Sequence, residues 1–524
     1  MLAAFSMLGR MFRAARVMAA YDVLPPAQWK PLTPPALLVA ARLFPRSRTL
    51  AQGRSGERLT RALTKLGPSY IKAGQFLATR PDVIGAEIAQ DLSELQDRLP
   101  PFDNDEANRI LLDELGPEKC ARLGNIGPSV AAASIAQVHK VHLKPEPDGS
   151  AGRTLAVKIL RPNVEKEFAA DLRAFAWAAR QAERLTEEAR RLKPRALVET
   201  LARSVALEMD LRLEAAAASE MAANISGDPI IRIPAVDWDF TSRRVLATEW
   251  IDGTSLRNRD ELVARGHDLK ALATNLIQAF LKHALRDGFF HADMHPGNLF
   301  VDGNGKIVVV DFGIMGRLDK TSRRFMAETL AGFLARDYRR VAEVHLAIGF
   351  VPPRHTVEDF AQALRAIGEP IFGRPASNMS MANLLSQLFE VTRLFDMEMQ
   401  PQLVMLQKTM VVVEGVSRQL DPDHSIWDAA RPVIEKWMID SIGPQARLQD
   451  AADGLTALGR ALSVLPAALK NAELIAASLT TGGIRIHPDS AQAIGKAQAN
   501  APGVATAAFW LSLAALVLAA FAFF

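Results

Sequence analysis

The segment of residues 288–313, GFFHADMHPGNLFVDGNGKIVVVDFG, combines histidine, aspartate and asparagine side chains with short apolar runs. The oxygen and nitrogen atoms of these side chains can bind a metal ion or assist phosphoryl transfer. The third alternative is that the segment is only a polar loop between two strands. The spacing of the polar residues, and what else the chain supplies, decides between these alternatives.

Zinc binding is the first alternative. His291 and His295 are four residues apart, as are the histidine pairs of zinc-binding helices. Pro296 and Gly297 follow directly, however, and residues 293–297 therefore have a low helix propensity. Because no third zinc ligand occurs at a familiar spacing, we do not expect a zinc-dependent hydrolase.

Phosphoryl transfer requires a carboxylate near the attacking oxygen, hard oxygen ligands for Mg²⁺, and a cation on the nucleotide phosphates. Protein kinases supply them through H-R-D-x-x-x-x-N, D-F-G and a strand lysine of V-A-I-K type. Here HAD at 291–293 is followed at the same spacing by Asn298, and then by DFG at 311–313. Lys158 lies upstream in LAVKIL, a predicted strand. The order and the strand and loop contexts together predict phosphoryl-transfer chemistry.

The turn before Lys158 differs from the glycine-rich loop with which kinases cover the phosphates. It reads SVAAASIAQV, with alanine and serine in the place of the glycines. Alanine adopts positive φ less readily and keeps the backbone further from a phosphate, so we predict a different grip on the nucleotide. The nucleotide-binding residues predicted in this turn are Val130, Ala131, Ala132, Ala133, Ser134 and Val138.

Composition sets broader limits. The chain has 524 residues, of which 49% are hydrophobic, so it is long enough for two or three packed units. A net charge of +4 does not demand nucleic acid and suits anionic lipid equally well, and we expect no nucleic-acid partner. Cys120 is the single cysteine, which excludes an intrachain disulfide.

The two ends of the chain suggest contact with a membrane. Arg10, Arg13 and Arg16 recur at helical spacing, which fits either a basic helix on a membrane surface or a helix packed on its own domain. Residues 502–524 carry no charge, and their last ~20 residues would span roughly 30 Å as a helix. We therefore predict a single-span C-terminal membrane anchor.

The order of predicted elements gives an α+β fold of two lobes with a cleft between them. The predicted divisions are a basic lead-in at 1–54, a helical extension at 55–123, an N-lobe at 124–252, a helical C-lobe with the catalytic loop at 253–420, a C-terminal helical region at 421–501 and the transmembrane anchor at 502–524.

Six motifs carry a specific resemblance over about residues 65–420: KAGQ at 72–75, AAAS at 131–134, LAVKILRP at 155–162, LEMDLRLEA at 207–215, HADMHPGN at 291–298 and DFG at 311–313. With them the sequence resembles the UbiB family of atypical, protein-kinase-like ATPases, bacterial relatives of the mitochondrial proteins that support coenzyme Q synthesis. Met294 stands where many members have proline, a departure that changes no predicted ligand. The resemblance implies a protein-kinase-like fold with a helical N-terminal extension.

The resemblance also implies roles for the polar residues of the N-lobe. Lys158 would hold the α- and β-phosphates of ATP and pair with Glu214. Glu208 and Asp210 would meet Lys72 of the KAGQ motif, which in this family folds over the site of a peptide substrate. The alternative for these three acidic residues is a solvated helix face. Gly74 and Gln75 complete the KAGQ motif, which we assign a regulatory role.

The remaining roles concern the cleft and the C-lobe. By resemblance, Asp293 would be the catalytic carboxylate, and Asn298 and Asp311 would bind Mg²⁺. The backbone from Glu249 to Ile251 would be the hinge that reads adenine.

The resemblance implies a membrane-anchored, Mg²⁺- and ATP-dependent ATPase or small-molecule kinase. It would promote ubiquinone biosynthesis at the cytoplasmic face of the bacterial inner membrane, with lipid and prenylated quinone precursors as partners. Association with other ubiquinone-biosynthesis enzymes and a homodimer stay open, as do a protein kinase acting in trans and a nucleotide-binding scaffold without turnover. A ring hydroxylase is disfavoured, because we find neither G-x-G-x-x-G nor a set of two histidines and one carboxylate.

Overall fold

The structure is a computed structural model. It describes residues 2–24, 45–47, 49–78, 80–93, 95, 99–145, 152–185, 190, 192–372, 387, 391, 394–397 and 400–442. Residues 1–439 form one compact unit and residues 440–524 a second, so the fold below is that of the first unit. Within the described residues, no helix is long and apolar enough to cross a membrane. The predicted anchor at 502–524 lies outside the described residues, as does most of the predicted helical region at 421–501.

The N-terminal extension is a group of helices packed around their own small core. The helices are α1 Leu2–Ala20, α2 Ser55–Leu66, α3 Pro68–Ala78, α4 Pro81–Ile84 and α5 Ala86–Ser93. Helix α2 buries Leu59, Leu63 and Leu66 at the spacing of one helical face. Helix α1 packs its Val17 against the same core, and its Arg10 pairs with Asp171 at 2.8 Å. In the described structure, α1 therefore packs on its own domain.

The N-lobe has a four-stranded antiparallel sheet in the order β1-β2-β3-β5. Its elements are α6 Asn104–Arg122, β1 Ser129–Ala132, β2 Ala136–His142, β3 Thr154–Leu160, α7 Val164–Leu185, α8 Pro194–Glu208, α9 Leu211–Asn224 and β5 Val245–Glu249. On β3, Val157 and Ile159 are buried in a cluster with α6. Side chains alternate along a strand, so Lys158 shares the other face with Leu160, which packs with α7, α8 and α9.

The C-lobe is mostly helical and surrounds two small sheets, β4-β9-β8-β6 and the pair β7-β10. Its strands are β4 Ile231–Arg232, β6 Gly253–Ser255, β7 Phe289–His291, β8 Leu299–Asp302, β9 Ile307–Val309 and β10 Met315–Arg317. Its helices are α10 Arg259–Ala264, α11 Leu269–Lys282, a π-helical turn His283–Asp287, α12 Lys320–Leu334, α13 Tyr338–Ala347, α14 Val357–Phe372, α15 Pro401–Leu420 and α16 Ile426–Ile442.

The β8–β9 hairpin brings the two halves of the 288–313 segment together. Leu299 is paired with Val309, and the Val310 N–H donates to the Asn298 carbonyl at 2.9 Å. Asn298 and Asp311 therefore leave the hairpin at the same end. The predicted α+β class of the fold is confirmed.

Candidate active site

Three charged side chains meet where the N-lobe sheet faces the end of β9. The Lys158 Nζ atom lies 2.8 and 2.9 Å from the two carboxylate oxygens of Glu214 and 3.0 Å from Asp311 Oδ1. Lys158 lies on β3 and Glu214 in the first turn of α9. Asp311 is the second residue after the end of β9. The structure thus contains the predicted Lys158–Glu214 pair and adds the DFG aspartate to it.

Burial and charge act on this cluster in opposite directions. The positive charge of Lys158 holds the pKa of Asp311 below its usual range, so this carboxylate is ionised at neutral pH. Burial opposes the charge on Lys158, but Asp311 and Glu214 together raise the lysine pKa above its ordinary value. Burial raises the pKa of Glu214 to about 7 against the attraction of Lys158. The cluster keeps a permanent cation beside a carboxylate that is 49% exposed and open to a ligand.

His291 joins the catalytic loop to the DFG segment. Its Nδ1 atom accepts the Asp293 N–H at 3.1 Å, so Nε2 carries the proton and donates to the Asp311 carbonyl at 2.7 Å. Asp311 has φ of +65°, a conformation uncommon for residues other than glycine, and this hydrogen bond helps to hold it. Both ring nitrogens are therefore occupied by the backbone, which excludes His291 as a zinc ligand in this conformation. The sequence reasoning did not assign His291 this role.

Asp293 and Asn298 also lie together. The Asn298 Nδ2 atom donates to the Asp293 carbonyl at 3.1 Å, which leaves the amide oxygen as the metal-binding atom of that side chain. Mg²⁺ takes hard oxygen ligands, and it usually combines one or two protein ligands with phosphate oxygens and water. The ionised Asp311 and the Asn298 amide oxygen fit this requirement, and the β8–β9 hairpin places both residues at one end.

A second lysine–glutamate pair, largely buried, joins the extension to the N-lobe. Lys72 on α3 contacts Glu208 at the end of α8, with 2.6 Å between Nζ and Oε2. The charge of Lys72 also contributes to the lowered pKa of Asp311, after the larger effect of Lys158. Gly74 is buried on the same helix, where a Cβ atom would lie 2.7 Å from Leu63.

The predicted contact between Lys72 and the E-x-D motif therefore involves Glu208. The described bonds of Asp210 are to Arg212 instead, at 2.6 Å between side chains and 3.2 Å to the Arg212 N–H. Asp210 has an extended backbone conformation and is the N-cap of α9, where aspartate binds a free N–H of the first turn. Gln75 is half-buried on α3.

The alanine turn is held by its own backbone and by one arginine. The Ala133 N–H donates to the Ala136 carbonyl at 2.8 Å, and Arg161 donates to the carbonyls of Ala133 at 2.9 Å and Pro100 at 2.8 Å. None of the described residues 130–134 has a positive φ, so the backbone of this turn does not need glycine. Sequence reasoning missed Arg161, although it lies in the LAVKILRP motif.

The other residues of the predicted nucleotide site differ in how close they lie to Lys158 and in how exposed they are. Val138 is paired with Lys158 across β2 and β3, whereas Val130 is 53% exposed on β1. At the predicted hinge, the Glu249 N–H donates to the Ala235 carbonyl at 2.8 Å, so it is not available to adenine in this conformation. The Trp250 N–H donates to the Thr154 carbonyl at 3.0 Å, so a hinge donor for adenine would have to come from Ile251 or beyond.

Comparison with known proteins identifies the family. Residues 94–345 match the ABC1 atypical kinase-like domain, and residues 364–425 match the UbiB helical domain. The chain is 39% identical over 457 residues to the probable protein kinase UbiB of Marinobacter nauticus, which covers 86% of this chain and 82% of that protein. The chain belongs to the UbiB family. A Vibrio cholerae protein with the same name is 40% identical over 449 residues, 84% of this chain and 81% of that protein.

A solved structure agrees with this assignment at the level of the fold. A Mycobacterium tuberculosis protein, solved as a complex with erythromycin, matches with a TM-score of 0.50 and 23% identity over 69% of this chain and 90% of that one. The kinase-like fold expected from the motifs is thus confirmed. The KAGQ motif at 72–75 precedes the matched kinase-like domain.

Proposed function

We propose that this UbiB-family protein hydrolyses ATP in a Mg²⁺-dependent reaction and uses the hydrolysis to promote ubiquinone biosynthesis. The observation that carries the proposal is the Lys158 Nζ atom within 3.0 Å of both Glu214 and Asp311. This arrangement presents a cation and an ionised oxygen ligand side by side, as a nucleotide with its metal ion requires.

The residues of the site have distinct tasks in this reaction. Lys158 holds the phosphates of ATP, and Asn298 and Asp311 would hold Mg²⁺, which when bound neutralises charge on the phosphate oxygens. Asp293 accepts a proton from the attacking water. At the same time the water oxygen bonds to the γ-phosphorus, and the bond between the γ-phosphorus and the leaving oxygen of ADP breaks. The products are ADP and phosphate. His291 keeps the catalytic loop and the DFG segment in register through its two backbone hydrogen bonds.

The proposed substrates of the biosynthetic step are prenylated quinone precursors, which partition into lipid because of their long apolar tails. An ATPase anchored at the cytoplasmic face of the inner membrane through residues 502–524 could use nucleotide-driven opening to extract or present them to the other enzymes of the pathway. The length and apolar character of those residues support this part of the proposal. Deletion of 502–524 should release the protein from membranes washed in high salt, and a truncated protein that still needs detergent would refute a sole C-terminal anchor.

Phosphorylation of a protein in trans is the competing function. The Lys72–Glu208 contact favours the ATPase, because it ties the KAGQ helix to α8, and in the UbiB family the KAGQ motif folds over the site of a peptide substrate. A peptide phosphorylation screen tests this alternative directly.

The decisive experiment measures phosphate release by the purified full-length protein, with and without liposomes and a prenylated phenol. We expect Mg²⁺-dependent turnover that the phenol and the lipid increase, and its loss in Asp293→Asn. Asp260→Asn, at an exposed position of α10, is the matched control for the change of charge. Nucleotide binding without turnover under every condition would instead support a scaffold.

A further inference from the structure

Helix α15 of the UbiB helical domain reaches the backbone of the catalytic loop. Thr409 on this helix is 1% exposed, and its hydroxyl lies 3.0 Å from the Ala292 carbonyl oxygen. Ala292 is the residue immediately before Asp293. The hydroxyl also lies 2.9 Å from the Met405 carbonyl one turn earlier in the same helix, so its single proton is directed between two acceptors.

Three further hydrogen bonds hold the backbone around Asp293. The Ala292 N–H donates to the Ile314 carbonyl at 3.0 Å, and the Asp293 N–H donates to His291 Nδ1 at 3.1 Å. The Asp293 carbonyl accepts from Asn298 Nδ2 at 3.1 Å. All three come from within the kinase-like match at 94–345, whereas Thr409 belongs to the helical-domain match at 364–425.

We propose that Thr409 is a positioning residue for Asp293, through which the helical domain sets the orientation of the catalytic carboxylate. The Ala292 carbonyl and the Asp293 N–H belong to the same planar peptide group. A rotation of that group would move the carbonyl away from Thr409 and the N–H away from His291 together. The Thr409 hydroxyl therefore resists a rotation that would carry the Asp293 side chain away from the attacking water. This inference rests on the catalytic role proposed for Asp293.

The same helix supplies a matched control. Ser417 on α15 is completely buried, and its hydroxyl donates to the Ala273 carbonyl on α11 at 3.2 Å. Both residues thus bind a backbone carbonyl of the C-lobe from one helix, but Ala273 lies within α11 rather than in the catalytic loop. Removal of either hydroxyl leaves a buried carbonyl without that donor, so the two variants should lose comparable stability.

The experiment compares Thr409→Val, Thr409→Ser and Ser417→Ala in the full-length protein. We measure kcat and KM for phosphate release, Kd for Mg-ATP and the melting temperature. For Thr409→Val we expect a fall in kcat of about tenfold or more with Mg-ATP affinity within about twofold, because a small displacement of a catalytic group lowers the rate without removing binding contacts. Thr409→Ser should retain the rate, and Ser417→Ala should lower the melting temperature with kcat within about twofold of the wild type.

Two results would overturn the proposal: an unchanged kcat in Thr409→Val, or an equal loss of kcat in Ser417→Ala. Asp293→Asn separates this failure from a failure of the proposed function. An inactive Asp293→Asn beside a fully active Thr409→Val would refute only the role of Thr409. A fully active Asp293→Asn would refute both assignments.

Discussion

Two largely buried lysine–glutamate pairs, Lys158–Glu214 and Lys72–Glu208, differ in what else surrounds them. Lys158 contacts Glu214 and also the half-exposed Asp311, at 3.0 Å. Lys72 contacts Glu208, and these two side chains are only 10% and 13% exposed. A cation shared between a buried and an exposed carboxylate can change partner when a ligand arrives. A pair enclosed on both sides is better suited to fixing one element against another.

A lysine–glutamate contact does not by itself define a function. The pair at Lys158 lies within the kinase-like match, whereas the Lys72 pair joins residues of the extension to α8. Breaking the first should affect the ligand more than the fold. Breaking the second should affect the fold more than the ligand.

The largest expected effect is on stability, from Lys72→Met. Removal of one partner leaves the Glu208 carboxylate buried without this cation, which typically costs about 3–5 kcal/mol in the free energy of unfolding. The double variant Lys72→Met/Glu208→Gln should recover most of that loss, since no uncompensated charge then stays buried. Urea unfolding of the wild type, both single variants and the double variant measures the coupling. Strictly additive losses would show that the pair does not act as a unit.

The next effect is on the ligand, from Asp311→Asn. A hard cation loses an anionic oxygen ligand, and Lys158 loses its second carboxylate, so Mg-ATP affinity should fall by about 10- to 100-fold. The measurement is thermal stabilisation by Mg-ATP across a titration. Asp210→Asn is the matched control, because asparagine caps a helix about as well as aspartate and this position lies in the α8–α9 connection. Unchanged stabilisation in Asp311→Asn would contradict the kinase-like role of the DFG segment.

These two regions also show how far the sequence can be interpreted. Lys158 was predictable from its predicted strand and from the order of the motifs around it. Its pairing with Glu214, and that of Lys72 with Glu208, were predictable only through the resemblance to the UbiB family. Asp210 was harder, since an aspartate directly before a helix is a good N-cap as well as a possible ion-pair partner, and the local hydrogen bond is the one formed. Thr409 was not predictable, because it lies in a mainly apolar helix 117 residues from its partner. Its role depends on tertiary packing that no local pattern records.

A smaller effect is expected at the alanine turn, from Ala132→Gly. The turn lies beside the KAGQ helix, since Phe76 packs against the cluster that contains Ile135. Glycine at position 132 would loosen a backbone that now keeps an ordinary φ and let it approach the phosphates more closely. Affinity for ATP or ADP should change several-fold, on the order of 1 kcal/mol, and complementation of a quinone-deficient strain should be impaired.

Ala132→Ser, which keeps a Cβ atom, is the control for this change. The measurements are nucleotide titrations of both variants beside complementation. If Ala132→Gly binds ATP and ADP with wild-type affinity and complements fully, the turn does not determine the affinity for the nucleotide.

The smallest effect concerns pH and tests whether the Lys158 cluster is as open as its exposure indicates. Lys158 holds the pKa of Asp311 below its usual range, and therefore below the unfolded-state value of about 3.9. The unfolded chain then binds more protons between the two pKa values, so the contribution of Asp311 to stability is present above about pH 4 and is lost as the pH falls through the folded pKa. Because the side chain is 49% exposed, solvent screening should limit this contribution to less than about 1 kcal/mol.

The test is the difference in unfolding free energy between the wild type and Asp311→Asn at pH 7 and at pH 3, with Asp260→Asn as the exposed control. The difference should shrink at pH 3, and one that stays constant would mean that the carboxylate is not stabilised by the charge of Lys158.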